Sequence, residues 1–318
     1  MKLELASVSK SFGDKTVLTD IRLSAESGRA LGLLGRNGAG KTTTIRIVMD
    51  VFPPDSGRVL FDGKPLRQAG VKIGYMPEER GLYPKVPIGE QLVYLGRLRG
   101  LDGSTAKRNA KRLLDELEMG DYYTKKPTIL SKGNQQKIQL AATLISDPDV
   151  VVLDEPFSGL DPVNASLLEQ MVSRLISEQK LVLFSSHQMN YIERFCNHIA
   201  ILRDGRIVLS GNLRDIRRSY DRSRLVLSGG DDTLQNAARF FAARTELVAG
   251  TERTPEGLMV RLIDADRKNE LLALAAAQNF DLDGIRVWEP TLADIFVEYT
   301  TAGDDPETTA PADQEAAL

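Results

Sequence analysis

Short apolar runs punctuate the first part of the chain: Ala30–Leu34, Val150–Leu153, Leu181–Phe184 and Ile199–Leu202. None alternates with polar residues, so each predicts a strand covered on both faces. A helix is expected to begin near Lys41, after the first run. Strands alternating with helices imply a mainly parallel α/β sheet. Arg203-Asp204-Gly205-Arg206 predicts a hairpin turn into a strand at Ile207–Leu209.

The period changes between about Val86 and Ala142. Ala110, Leu113, Leu114 and Leu117 fall at i, i+3, i+4 and i+7, one face of a helix, with Ser104 as its expected N-cap. This stretch predicts a helical subdomain inserted into the α/β core. After Tyr220 the pattern changes again. Leu225–Leu227, Glu246–Val248, Leu258–Leu262 and Ile285–Val287 predict strands. Leu234, Ala237, Ala238 and Phe241 predict a helix capped by Asp231 or Asp232, and a second helix is expected around Asn269–Ala277. The order βαββαβ predicts a small α+β, ferredoxin-like domain. The expected division is 1–220 for the α/β domain with its helical insertion at about 86–142, 221–300 for the accessory domain, and 301–318 for a disordered acidic tail.

Composition narrows the function classes. Apolar residues make up 42% and charged residues 27% of 318, enough for a substantial core. A net charge of −3 argues against a polyanion-binding face, so no nucleic-acid partner is expected. The single cysteine, Cys196, cannot form an internal disulfide and reads as a small buried hydrophobe. No secretory signal and no apolar run long enough to span a membrane is evident, so any membrane role is expected to come through a partner.

Gly35-Arg36-Asn37-Gly38-Ala39-Gly40-Lys41-Thr42 matches the phosphate-binding loop G-x-x-x-x-G-K-[ST] at every fixed position. Its glycines let backbone N–H groups converge on phosphate oxygens, and the following helix aims its positive end at the anion. Asn37, Gly38, Ala39, Gly40, Lys41, Thr42 and Thr43 are therefore the expected ATP contacts, with the Thr42 hydroxyl also on Mg²⁺. The strand Val150–Leu153 ends in Asp154-Glu155. Asp154 sits where a carboxylate holds the Mg²⁺ shell. Glu155 is placed to polarise an attacking water.

With these anchors the chain resembles the ABC ATPase family. Leu130-Ser131-Lys132-Gly133-Asn134-Gln135-Gln136 is similar to the family signature LSGGQ, matching at Ser131 and Gly133 and departing at Lys132 and Asn134. Leu227-Ser228-Gly229-Gly230 fits the letters better but follows the carboxylate strand and precedes Asp231-Asp232, whose charges would repel phosphate. Ser158-Gly159-Leu160-Asp161-Pro162 resembles the D-loop that crosses the dimer interface. His187 matches the switch histidine at the γ-phosphate, and Phe12 the aromatic that stacks on adenine. Gly74–Tyr83 occupies the Q-loop, with Glu78 in place of the usual glutamine as a catalytic and metal-binding candidate. His198 and Trp288 read as structural.

The Pro77–Tyr83 segment and Trp288–Phe296 resemble the sodium-exporter and ABC-2 type branch, which carries an extra C-terminal domain. The resemblance implies an ATP- and Mg²⁺-dependent ATPase that powers export. Its partners would be a second copy of itself, or a related ATPase subunit, and an integral membrane permease of ABC-2 or sodium-exporter type. It would lie at the cytoplasmic face of the membrane. The alternatives are a translation-associated ABC protein, a regulatory one that has lost hydrolysis, or a DNA-repair type. The second is opposed by intact Asp154, Glu155 and His187; the third would need a long coiled coil.

Overall fold

The computed structural model describes residues 1–79 and 81–301. The chain forms two compact units, Met1–Leu213 joined by the segment from Ile295, and Arg214–Asp294. The expected acidic tail lies outside the described residues.

The first unit opens with β1 (Lys2–Phe12), β2 (Lys15–Glu26), β3 (Ala30–Gly35), α1 (Lys41–Val48), β4 (Ser56–Phe61), β5 (Lys64–Pro65) and β6 (Ile73–Met76). The helical region follows as α2 (Ile88–Leu98), α3 (Gly103–Glu116) and α4 (Lys132–Leu144). Then come β7 (Val150–Asp154), α5 (Pro162–Ser177), β8 (Leu181–Ser185), α6 (Met189–Phe195), β9 (Cys196–Arg203) and β10 (Arg206–Asn212).

Strands β10-β9-β3-β8-β7-β6 make one sheet. All its neighbours run parallel except the β9–β10 hairpin. The apolar runs read from the sequence supply its inner strands, and β3, β7 and β8 are almost wholly buried. Cys196 begins β9 and is 3% exposed; burial pushes its thiol pKa up.

A second sheet, β2-β1-β4-β5, is antiparallel and was not expected. Leu3, Leu5, Val8, Leu18, Ile21 and Leu23 join one core with α1 and the parallel sheet. Register shifts between Leu5 and Val8, and again on to Ser11, break the period of two that would have revealed β1.

In the helical region α3 buries Ala106, Ala110, Leu113 and Leu114, close to the expected face. Its cap is Asp102 rather than Ser104. The Asp102 carboxylate accepts from Ser104 N (2.9 Å) and Thr105 N (3.0 Å), and the Ser104 hydroxyl also donates to it. An ionised oxygen is the stronger acceptor for these orphan N–H groups. Arg99 serves the other end of α4: its guanidinium donates to Ala142 O (2.6 Å) and Thr143 O (3.2 Å), where a cation suits a helix C-terminus.

Beyond α7 (Leu213–Arg218), the second unit runs β11 (Arg224–Gly229), α8 (Asp231–Ala242), β12 (Val248–Thr254), β13 (Gly257–Leu262), α9 (Lys268–Ala277) and β14 (Leu282–Val287). The sheet order is β12-β13-β11-β14 with antiparallel neighbours, the arrangement of a ferredoxin-like βαββαβ unit. Leu225, Leu227, Leu234, Phe241, Val260 and Leu271 lie in its core. Leu227 is therefore a packing residue, which removes the second LSGG match from consideration.

Three local expectations are corrected here. The second strand starts at Val248, with Leu247 buried just before it. Neither Asp231 nor Asp232 caps α8; Gly230 stands at the cap and both aspartates occupy the first turn, where their charge favours the helix end. Trp288 is partly buried, not core, and carries the Arg224 guanidinium 5.1 Å from its ring centroid. A last helix, α10 (Leu292–Thr301), ends the described chain, with Arg203 donating to Tyr299 O (2.9 Å). Among the described residues no helix is long and apolar enough to cross a membrane.

Candidate active site

The carboxyl ends of β3 and β7 open on a cleft of about 800 Å³. Asn37, Gly38, Gly40, Lys41, Thr42 and Thr43 line one side, and Glu78, Asp154, Glu155 and His187 the other. Ligands collect at this edge of parallel sheets because loops and helix N-termini converge there.

The turn between β3 and α1 depends on Gly40. Its φ of +111° is left-handed, and an added Cβ would lie 2.6 Å from Leu18 Cδ2, so only glycine lets the loop close onto β2. Ala39, expected to contact phosphate, donates its N–H to Arg36 O (3.1 Å) and is absent from the cleft lining. Lys41 Nζ donates to Gly35 O (2.5 Å) and Arg36 O (3.2 Å). Burial lowers its pKa, opposed by the negative field of Glu155, Asp154 and Glu78. A partly desolvated cation facing carboxylates is poised to gain from an incoming polyanion.

Asp154 and Glu155 are 8% and 7% exposed, and both are held by neighbours that the sequence reading did not single out. Ser185, paired with Asp154 across β7 and β8, donates its hydroxyl to Asp154 Oδ1. Tyr75 Oη donates to Asp154 Oδ2 (3.3 Å). Glu155 adopts φ +49°, a left-handed conformation costing about 1–3 kcal/mol in a non-glycine residue and concentrated at functional sites. That turn brings Glu155 Oε1 within 2.8 Å of His187 N and 2.9 Å of His187 Nδ1, while Ser186 Oγ donates to Oε2 (3.0 Å). Oε1 accepts from the His187 backbone N–H, and Oε2, which accepts from Ser186, keeps a second acceptor position that a water could use. His187 itself is 72% exposed.

Thr42, Glu78 and Asp154 give the cleft a set of oxygen donors suited to a hard cation that also carries phosphate and water ligands. Lys15 and Val17 also line the cleft, and no residue pattern in the β1–β2 hairpin announced them; Arg36, inside the phosphate loop but not among its expected contacts, lines it too. Phe12, at the end of β1, is 49% exposed and meets Phe52 edge-on with centroids 5.4 Å apart.

Phe12 does not line this cleft, and neither do Ser131, Gly133 and Asp161. Ser131 caps α4, its Oγ accepting from Asn134 N (3.3 Å). Gly133 lies in the first turn, where a Cβ would come 2.8 Å from Asn164 Nδ2. Asp161 caps α5, accepting from Val163 N (3.1 Å) and Asn164 N (3.0 Å).

Comparison with known proteins accords with this geometry. Residues 18–158 match the ABC transporter family model, and residues 211–300 match the C-terminal domain of DrrA1-3-like ATP-binding proteins. The uncharacterized ABC transporter ATP-binding protein YhaQ of Bacillus subtilis is 38% identical over 301 residues, covering 94% of this chain and 99% of that one. The Nod factor export ATP-binding protein I of Cupriavidus pinatubonensis is 33% identical, covering 78% of each chain. A solved ATP-binding subunit of an ABC transporter superposes with a TM-score of 0.63 at 30% identity, covering 69% of this chain and 92% of that one. The chain belongs to the ATP-binding proteins of ABC transporters and is the ATPase subunit of such a transporter.

Proposed function

We propose that two copies of the chain enclose two ATP molecules and that closure drives export through a separate membrane permease of ABC-2 type. One observation carries the reading. A single chain gathers Lys41, Thr42, Asp154, Glu155 and His187 around one cleft, while Ser131 and Gly133 stand at a helix N-terminus outside it. A helix N-terminus is an anion site, and a two-fold pair would bring each α4 to the other chain's nucleotide. The same pair with a related ATPase would satisfy the geometry equally.

In this reading Lys41 and the loop amides grip the phosphates, and Phe12 stacks on adenine. Glu155 orients the attacking water through Oε2 and takes up its proton, while His187 and the partner's Ser131 and Gly133 hold the γ-phosphate. Asp161 positions the start of α5 at the interface. Thr42, Asp154 and Glu78 would hold Mg²⁺, which neutralises phosphate charge when bound.

The permease would dock on the helical region. Tyr94 and Leu98 lie four residues apart on one face of α2 and are 52% and 65% exposed, and Tyr83 in the preceding loop is 54% exposed. Exposed apolar groups of this size suit a protein interface. The relative named for Nod factor export supports the outward direction. The chain would then sit on the cytoplasmic face of the membrane through its permease. In its native cell, Tyr94→Glu with Leu98→Glu should release the protein from the membrane fraction while its ATPase activity persists. Wild-type protein recovered entirely in the soluble fraction would contradict the proposal.

A further inference from the structure

Helix α4 reaches both carboxylate loops of its own chain through buried amides. Gln136 and Gln139 are 2% and 4% exposed and lie three residues apart, on one face. Gln136 Nε2 donates to Pro156 O (3.0 Å), one residue beyond Glu155. Gln139 Nε2 donates to Pro77 O (2.7 Å) and Glu79 O (3.1 Å), the two carbonyls that bracket Glu78. Gln139 Oε1 is buried without a partner among the described residues. A half-satisfied buried amide is costly, and here its donor end alone is used.

The loop that carries Glu78 is pinned again farther along. Gln91, on α2, accepts from Tyr83 N (2.8 Å) and donates to Tyr83 O (3.0 Å) and Val86 O (2.6 Å). The loop is thus fastened to the helical region at both ends. Glu78 projects from its front into the cleft.

We propose that Gln139 is a positioning residue for Glu78. Resting on the two-chain reading above, the geometry makes α4 a rigid link. Its N-terminus meets the nucleotide of the partner, and its buried face fixes the Glu78 backbone of its own site. Occupation of one site then sets the carboxylate of the other.

The test is steady-state ATPase kinetics on Gln139→Met, Glu78→Ala and the double variant. Methionine keeps the length of the side chain and removes its amide, the Nε2 donor together with the unpartnered Oε1, and Gln139→Leu repeats the test with a second apolar shape. Gln139→Met should lower kcat by about tenfold to hundredfold, the scale for losing an outer-shell support. The KM for ATP should stay within about twofold, because Gln139 touches no nucleotide contact, and the cooperativity of hydrolysis in ATP should fall. In the Glu78→Ala background, Gln139→Met should cost nothing further. An undiminished loss in that background would overturn the inference, as would wild-type kcat in both single Gln139 variants. Wild-type turnover in Glu78→Ala alone would instead remove Glu78 from the site and take the inference with it.

Discussion

Tyr75, on β6, donates its phenol to Oδ2 of Asp154 at the end of the neighbouring β7, over 3.3 Å. Burial, then the charge of Asp154, pushes the phenol pKa up to about 12. The proton is therefore retained, and the bond persists, throughout the working range of any ATPase.

The sign of the pH effect follows. A folded pKa of about 12 against the ordinary tyrosine value of 10.0 gives stability that is complete below pH 10 and lost as pH rises through 12. Tyr75→Phe lacks this loss. Its stability deficit relative to wild type should be about 0.5–1.5 kcal/mol at pH 8 and should shrink at pH 11. The half-exposed phenol keeps the effect small. Urea unfolding of both proteins at the two pH values reads it; a deficit that widens at pH 11 would contradict the assignment.

Lys41 gives the second prediction. Its lowered pKa marks a cation kept in place at a desolvation cost for the nucleotide-free protein. Lys41→Met should leave the unliganded protein within about 1 kcal/mol of wild type, since two hydrogen bonds are lost but a partly buried charge is relieved. The ligand effect should vanish. Wild type gains about 2.7 kcal/mol at an ATP concentration one hundred times Kd, and the variant should gain almost none. Calorimetric unfolding with and without ATP separates the two statements.

In the second unit, Phe241 is fully buried between α8 and the sheet. Phe241→Ala should cost about 3–5 kcal/mol in that unit. Hydrogen exchange should show lost protection in β11 and β13 with β7 unchanged. Equal loss in both places would mean the two units do not unfold separately.

The sequence displayed what rests on composition and fixed spacing. Val150–Leu153 with Asp154-Glu155 and the Gly35–Thr42 loop could be read directly, because a strand buried on both faces and a phosphate loop each demand particular residue types. The βαββαβ order of the second unit was equally legible. What escaped depends on contacts distant in sequence. The β1–β2 sheet was hidden by bulges that upset alternation. Asp102 outcompeted Ser104 as cap because a carboxylate accepts from two N–H groups at once. Ser185, Ser186 and Tyr75 hold the carboxylates only because β6, β7 and β8 lie side by side. Nothing in the residue types of Gln136 and Gln139 marks them as buried; their burial follows from the loops packed over them.

The most direct test concerns whether the pocket is completed by a second chain. Glu155→Gln should bind ATP, hydrolyse it about 10²–10⁴-fold more slowly, and hold the closed state. Sedimentation of this variant should give twice the monomer mass with ATP and Mg²⁺ and the monomer mass without them. Adding Ser131→Asp keeps a good helix cap but sets a negative charge against the partner's phosphate. That double variant should bind ATP equally and stay monomeric. A Glu155→Gln protein that remains monomeric at saturating ATP, or a double variant that pairs as readily, would contradict the account.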